Sequence, residues 1–321
     1  MNSKSTLVAV PIALIVIIAA FFVAVPHSNN NNESQDDHGT EPVTPLGTDV
    51  SVYVWNVGEA LSILIDDQDT EILIDAGNDR DGPTIVNEIA PYVTDGTIEY
   101  VIATHSDADH IGGMEYIYNA YYVENTIYGN IGTSAQFKQF WDAAMAENSE
   151  TFAEDSNMTI QLPGGATLEI LDITDNESDA NNNSVISVLT CGEHRMLITG
   201  DLQDASLKRL GTALTGRLQS EGLYPMDVYM VGHHGSETSS SQGLLDLIKP
   251  TYAVISSEGP SGKYQNPNEG VMERLEASGA KIFATYVSGN ITITFSPDGV
   301  SLSPPDSQLL TVENYRNMAA T

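Results

Sequence analysis

Positive charge is scarce in this chain of 321 residues. Twelve lysines and arginines face 44 aspartates and glutamates, giving a formal charge of −32. This balance argues against a broad basic groove for nucleic acid. It describes a solvated acidic surface, soluble but self-repelling, of the kind that high-salt organisms use. Cysteine is nearly absent as well. The single Cys191 excludes an intramolecular disulfide. It follows the apolar run Ser184 to Thr190 and reads as a small core or edge residue. No internal repeat is visible.

Long apolar runs are lacking except for one. Leu7 to Val25 is almost unbroken, with Lys4 before it and Pro11 inside it. A bilayer core needs about 20 apolar residues as helix, and a signal-peptide core is shorter and ends in a small-x-small site. The exit here, Phe22-Val23-Ala24-Val25-Pro26, is a poor site of that kind. Residues 1–25 are therefore expected to be an uncleaved membrane anchor, with cleaved secretion as the alternative. Lys4 would stay inside, and Glu33, Asp36 and Asp37 would follow outside, which makes the remainder extracytoplasmic. Residues 26–48 are rich in Asn, Asp, Ser and Pro and read as a flexible linker, with His27 and His38 solvated in it.

From residue 49 to about 300 the sequence reads as one globular domain, with 301–321 as a weakly ordered tail. Strands are expected at Val50–Trp55, Leu61–Ile65, Glu71–Ile74, Ile98–Thr104, Thr167–Asp172, Val185–Thr190, Met196–Thr199, Val228–Val231, Tyr252–Ser257, Lys281–Tyr286 and Ile291–Phe295. Helices are expected at Met114–Tyr121, Gln136–Ala146, Leu202–Leu218, Ser241–Ile248 and Asn268–Ser278. Strands alternate with helices, yet several adjoin without one. That pattern predicts mixed sheets covered by helices, a layered α/β domain.

The chemistry gathers in Thr104-His105-Ser106-Asp107-Ala108-Asp109-His110, which follows a strand and precedes Ile111-Gly112-Gly113. Two imidazoles and two carboxylates within six residues suit one or two divalent cations. A second pair, His233-His234, sits in Gly232-His233-His234-Gly235-Ser236 after another strand. Asp201, in Thr199-Gly200-Asp201, ends a third strand and is suited to bridge two metals about 3.5–4 Å apart with a hydroxide between them. His194 lies between Glu193 and Arg195 in an apparent hairpin turn and reads as structural. Asp75, before Ala76-Gly77, either orients the metal-loop histidines or is a plain turn aspartate. Ser236, Ser239, Ser240 and Ser241 read as turn and cap residues. Tyr116, Tyr118, Tyr121 and Tyr122 read as packing.

These motifs, in this order, resemble the metallo-β-lactamase fold superfamily. Within it they look like the competence-protein branch, the hydrolase domain attached to ComEC-type DNA-uptake channels. Leu73-Ile74-Asp75-Ala76-Gly77, Asn181-Asn182-Asn183-Ser184-Val185, Val254-Ile255-Ser256-Ser257 and Val271-Met272-Glu273-Arg274-Leu275 fit the same branch. The resemblance covers roughly Asp49 to Phe295 and implies a four-layer αββα sandwich. It implies that His105 and Asp107 serve one metal, and Asp109 and His110 the other. Asp201 would bridge, His234 would complete the second site, and His233 would face the substrate or the first metal. The histidine that many relatives place between the metal loop and Thr199-Gly200-Asp201 is absent, Asn183 stands near that place, and harder oxygen ligands at the first site favour Mn²⁺ or Mg²⁺ over Zn²⁺.

Two departures stand out. The branch's Asp-Val-Gly-Gln-Gly-Asp-Ala is Asn56-Val57-Gly58-Glu59-Ala60 here, with Glu59 as partial replacement for the aspartate. Its Tyr-x-His-Pro is Tyr264-Gln265-Asn266-Pro267, which puts an amide at a substrate-facing position. The implied function is a metal-dependent hydrolase that holds one or two divalent ions (Zn or Mn). It would cleave a small-molecule or nucleic-acid phosphodiester, or a related ester, with metal-bound hydroxide oriented by Asp109. The alternatives are hydrolysis of another ester, lactone or thioester, or a non-catalytic metal-binding module.

Overall fold

The structure, a computed structural model, describes residues 47–153, 157–173 and 177–320. The apolar run at 7–25 and nearly all of the linker lie outside the described residues. Among those described, no helix is long and apolar enough to cross a membrane.

Two mixed sheets face each other. The first takes β1 (Val50–Val54), β2 (Ile63–Asp67), β3 (Thr70–Ile74), β4 (Thr97–Ala103), β5 (Tyr122–Tyr128) and β6 (Glu150–Ala153). The second takes β7 (Met158–Gln161), β8 (Thr167–Leu171), β9 (Ile186–Cys191), β10 (His194–Ile198), β11 (Val228–Met230), β12 (Tyr252–Ile255) and β13 (Lys281–Ala284). The chain then returns to the first sheet through β14 (Ile291–Ser296) and β15 (Gly299–Ser303), with β14 antiparallel beside β1. Strands β3 to β6 run parallel, as do β10 to β13.

The period of two along each strand explains the layering. On β2, Ile63 and Ile65 point to the space between the sheets, where they join Leu189, Met196, Val228 and Val254. Leu64, between them, points outward under a helical layer. That layer comprises α1 (Gly82–Ile89), a single turn α2 (Ala108–Ile111), α3 (Met114–Ala120) and α4 (Ala135–Glu147). Ile85, Ile117 and Phe140 cover Leu73 and Val101. The second sheet is covered by α5 (Lys208–Ser220), α6 (Gln242–Ile248) and α7 (Glu269–Ala277). Leu214, Leu244 and Leu275 there meet Leu197, Tyr229 and Ile255. The four-layer αββα arrangement is therefore present.

Several local expectations are corrected. Residues 301–320 are not a weakly ordered tail. Val300 to Ser303 pair with β14, and α9 (Val312–Ala319) packs on α7. Tyr315 is buried and donates its hydroxyl to the Pro267 carbonyl at 2.6 Å, and Thr311 caps the helix. The helix expected from Leu202 starts only at Lys208, because Asp204 is buried and its carboxylate accepts from the Ser240 and Ser241 amides. The strand expected through Tyr286 stops at Ala284, where the chain turns into the short helix α8 (Thr285–Ser288). Helix α1 and strands β5, β6 and β7 were not expected. The last two are only four residues long, and β6 has no fully buried position to create a pattern.

Candidate metal centre

The site forms where the strand ends of the two sheets meet. Strand β4 delivers Thr104 to His110, β3 delivers Asp75, β10 delivers Asp201, and β11 delivers His233 and His234. Crowding sets the metal loop. A Cβ on Gly113 would lie 2.1 Å from the Ala76 carbonyl oxygen, and one on Gly112 would lie 2.4 Å from the Asp79 amide nitrogen. Only glycine allows this approach. Asp75, His233 and His234 hold positive φ angles of 58°, 50° and 54°. Non-glycine residues adopt that region at a cost, and such strain gathers at functional sites.

Asp109, His110, Asp201 and His234 each bring a ligand atom within 4.8 Å of the others. His110 Nε2 lies 3.3 Å from Asp201 Oδ1, and His234 Nε2 lies 3.6 Å from both Asp201 Oδ2 and Asp109 Oδ2. His105 and Asp107 face each other beside this cluster, at 3.8 Å between Nε2 and Oδ2. Second partners aim the imidazoles. His110 Nδ1 is 2.6 Å from Asp75 Oδ2, His234 Nδ1 is 3.0 Å from the Ser256 carbonyl, and His105 Nδ1 is 3.2 Å from the Thr104 hydroxyl. Asp75 also accepts from the Thr104 hydroxyl at 2.7 Å and the Thr104 amide at 2.9 Å, so it positions the loop and is no plain turn residue.

The Nε2 atoms of His105, His110 and His234 are buried and have no hydrogen-bond partner. Buried polar atoms are ordinarily paired, and three unpaired imidazole nitrogens beside carboxylates fit divalent cations. Electrostatics agree. Burial, then neighbouring His110, push His105 down to about 4, which keeps it a neutral donor. Burial alone would also lower His110, but the Asp201 and Asp75 carboxylates hold it well above its ordinary value. Burial opposes ionisation of Asp201, yet His110 and His234 hold it well below the usual range. Asp109 is held at about 2 against the effect of burial, mainly by the His234 imidazole 3.6 Å away. The carboxylates thus draw positive charge into a buried pocket.

The remaining expected residues divide. His233 is 22% exposed at the mouth, with Nε2 3.6 Å from Asp201 Oδ2 and Nδ1 3.0 Å from the Thr238 hydroxyl. Asn266 lines the pocket, but its amide donates to Glu59 at 2.6 Å, and Glu59 is itself buried. Asn183 does not reach the pocket wall. Its side chain ties together Glu177 and Asp179 within its own loop. Asn181, two residues earlier, lines the pocket instead. His194 is structural, 3.2 Å from Asp227 in the β9–β10 hairpin, and Cys191 is buried in the inter-sheet core. Ser241 caps α6. Sequence reasoning missed Arg80, Lys263 and Tyr264. They line a cavity of about 410 Å³ that shares Glu59 and Tyr264 with the metal pocket of about 210 Å³. The scarcity of basic residues in a chain this acidic was the available signal, since only folding brings Arg80 and Lys263 to this cavity.

A buried pocket of histidines and aspartates at the meeting strand ends of an αββα sandwich defines a metal-binding hydrolase-type fold. The chain belongs to the metallo-beta-lactamase superfamily, whose family model matches residues 55–259. It is 28% identical over 253 residues to competence protein ComA of Neisseria gonorrhoeae, covering 78% of this chain and 33% of that one. It is 30% identical over 255 residues to recombination protein 2 of Haemophilus influenzae, covering 78% and 29%. The chain thus spans about a third of the length of these relatives. Among solved structures it is similar to Igni18, a metallo hydrolase from Ignicoccus hospitalis, at 14% identity and a TM-score of 0.47, covering 77% of this chain and 99% of that one.

Proposed function

We propose that this protein is a hydrolase of phosphodiesters or related anionic esters that works with two divalent ions. Asp109, His110, Asp201 and His234 would hold one ion, and His105 and Asp107 the other, with Asp201 between them. When bound, such ions supply Lewis acidity and acidify water. Asp109, the most exposed carboxylate of the clustered set, orients the attacking water. His233 meets the substrate at the mouth. Asn266 is held by Glu59 and acts as a fixed polar wall, since an amide cannot donate a proton as an acid.

The observation that carries this reading is the set of unpaired, buried imidazole nitrogens facing Asp107, Asp109 and Asp201. An anionic substrate is supported by Arg80 and Lys263 beside the pocket. The Lys263 ammonium donates to the Tyr264 hydroxyl at 2.8 Å, and Arg80 faces Asp81 at 3.6 Å and Glu258 at 3.7 Å, both beyond hydrogen-bond length. The named relatives support DNA-related chemistry. The same proposal includes attachment to the membrane through residues 7–25, with the domain outside.

The test is turnover of bis(p-nitrophenyl) phosphate and of p-nitrophenyl acetate by the metal-loaded chain. Hydrolysis of the phosphodiester supports the reading. Hydrolysis of the neutral ester alone would favour another ester class, and turnover of neither would favour a metal-binding module.

A further inference from the structure

We propose that Asn181 supplies its side-chain oxygen as a ligand to the ion held by His105 and Asp107, which tunes that position toward hard divalent ions such as Mn²⁺. The inference rests on the two-ion reading above.

Asn181 Oδ1 is buried and has no hydrogen-bond partner, like the three imidazole nitrogens of the centre. It lines the same pocket as Asp107, Asp201 and His233. Its partner atom is accounted for. Asn181 Nδ2 lies 3.3 Å from His233 Nε2, while His233 Nδ1 lies 3.0 Å from the Thr238 hydroxyl. With the His233 proton on Nδ1, donated to Thr238, Nε2 accepts from the amide nitrogen. That arrangement leaves the amide oxygen as the free lone pair. An amide oxygen has no proton to give, so it needs a donor or a cation, and the ionised carboxylates lining this pocket supply no donor.

The backbone is fixed as firmly. The Ser184 hydroxyl donates to the Asn181 carbonyl at 2.7 Å and accepts from the Asp201 amide at 2.9 Å. One side chain therefore ties Asn181 to the proposed bridging residue. The Val185 amide donates to the Thr104 carbonyl at 2.8 Å, which ties the same segment to the metal loop. A site with one imidazole, an amide oxygen and carboxylates is harder than one built on three imidazoles. Oxygen ligands suit Mn²⁺ and Mg²⁺, while imidazole suits Zn²⁺.

The experiment measures Mn²⁺ and Zn²⁺ binding to the full chain by electron paramagnetic resonance and elemental analysis. Wild type is compared with Asn181→Ala, Asn181→Asp and Asn181→His, and thermal melts in chelator confirm that each variant is folded. Wild type should hold two Mn²⁺ ions. Asn181→Ala should keep one at wild-type affinity and bind the other at least about 10-fold more weakly, the smallest effect seen when even a supporting contact is lost. Asn181→Asp should restore two, and Asn181→His should shift preference from Mn²⁺ toward Zn²⁺, as imidazole favours that ion. Two Mn²⁺ ions bound unchanged by Asn181→Ala would overturn the inference and leave the hydrolase reading standing. A second ion lost in Asn181→Ala and not restored by Asn181→Asp would also overturn it, since the residue would then act through loop packing alone. Failure of wild type to bind any divalent ion would remove the two-ion reading itself.

Discussion

Replacing Asp75 by asparagine tests whether the metal pocket is held from behind. Asp75 is fully buried and accepts three hydrogen bonds, from His110 Nδ1 at 2.6 Å, the Thr104 hydroxyl at 2.7 Å and the Thr104 amide at 2.9 Å. The asparagine side chain has the same shape but only one acceptor oxygen. If that oxygen faces His110, the amide nitrogen opposes the Thr104 N–H, donor against donor. If it faces Thr104, the amide nitrogen opposes His110 Nδ1 and drives the imidazole proton to Nε2, the atom aimed into the pocket. The first arrangement leaves a buried donor unpaired, at a cost of about 1–3 kcal/mol, and the second removes the Nε2 lone pair that would hold an ion. Loss of such a supporting carboxylate lowers metal affinity by about 10- to 100-fold. Competition titration against a chromophoric chelator reads the affinity, and thermal denaturation in excess chelator reads the stability. Unchanged affinity together with an unchanged melting temperature would refute the reasoning, because the three bonds would then carry nothing.

Two further outcomes follow from charge. Burial, then the Glu99 and Asp66 carboxylates, push Glu71 up from 4.5 to about 8. A raised carboxyl favours the folded state only while protonated, so this contribution is complete below pH 4.5 and fades as pH rises through 8. Glu71→Gln should therefore melt higher than wild type at pH 8.5 and the same at pH 4.5, and equal melting at both would contradict the assignment. Phosphodiester turnover should rise from dilute buffer to molar KCl, because the Debye length falls to about 3 Å at 1 M and screens both self-repulsion and substrate repulsion. Turnover that falls steadily with salt, while circular dichroism stays constant, would point to a basic groove instead.

The loop from Thr104 to His110 was legible because its candidate ligands are adjacent in sequence and directly follow a buried strand. Asp201 and His234 were legible for the same reason, each ending a strand at a glycine. Burial on both faces made Ile63–Ile65 of β2 and Val101–Ala103 of β4 short continuous apolar runs, so those strands were readable too. The C-terminal helix was not, because its contact with the core runs mainly through Tyr315 and Val312 among exposed polar neighbours. Asn181 was hidden among three consecutive asparagines. Which of them faces the pocket is set by the Ser184 hydroxyl and by the turn Ala180–Asn183, and spacing alone carries neither. The pairing of Glu59 with Asn266 joins residues 207 positions apart and appears only once the chain has folded. Arg80 and Lys263 are likewise brought together by tertiary contacts.

The most direct test of the central claim is metal stoichiometry. The full chain is loaded with Mn²⁺ or Zn²⁺, freed of excess ion and analysed by elemental analysis, alongside Asp201→Ala. The account predicts close to two ions per chain for wild type and loss of most of that metal in Asp201→Ala. A wild-type chain that retains no divalent ion, or an Asp201→Ala chain that keeps its full complement, would contradict it.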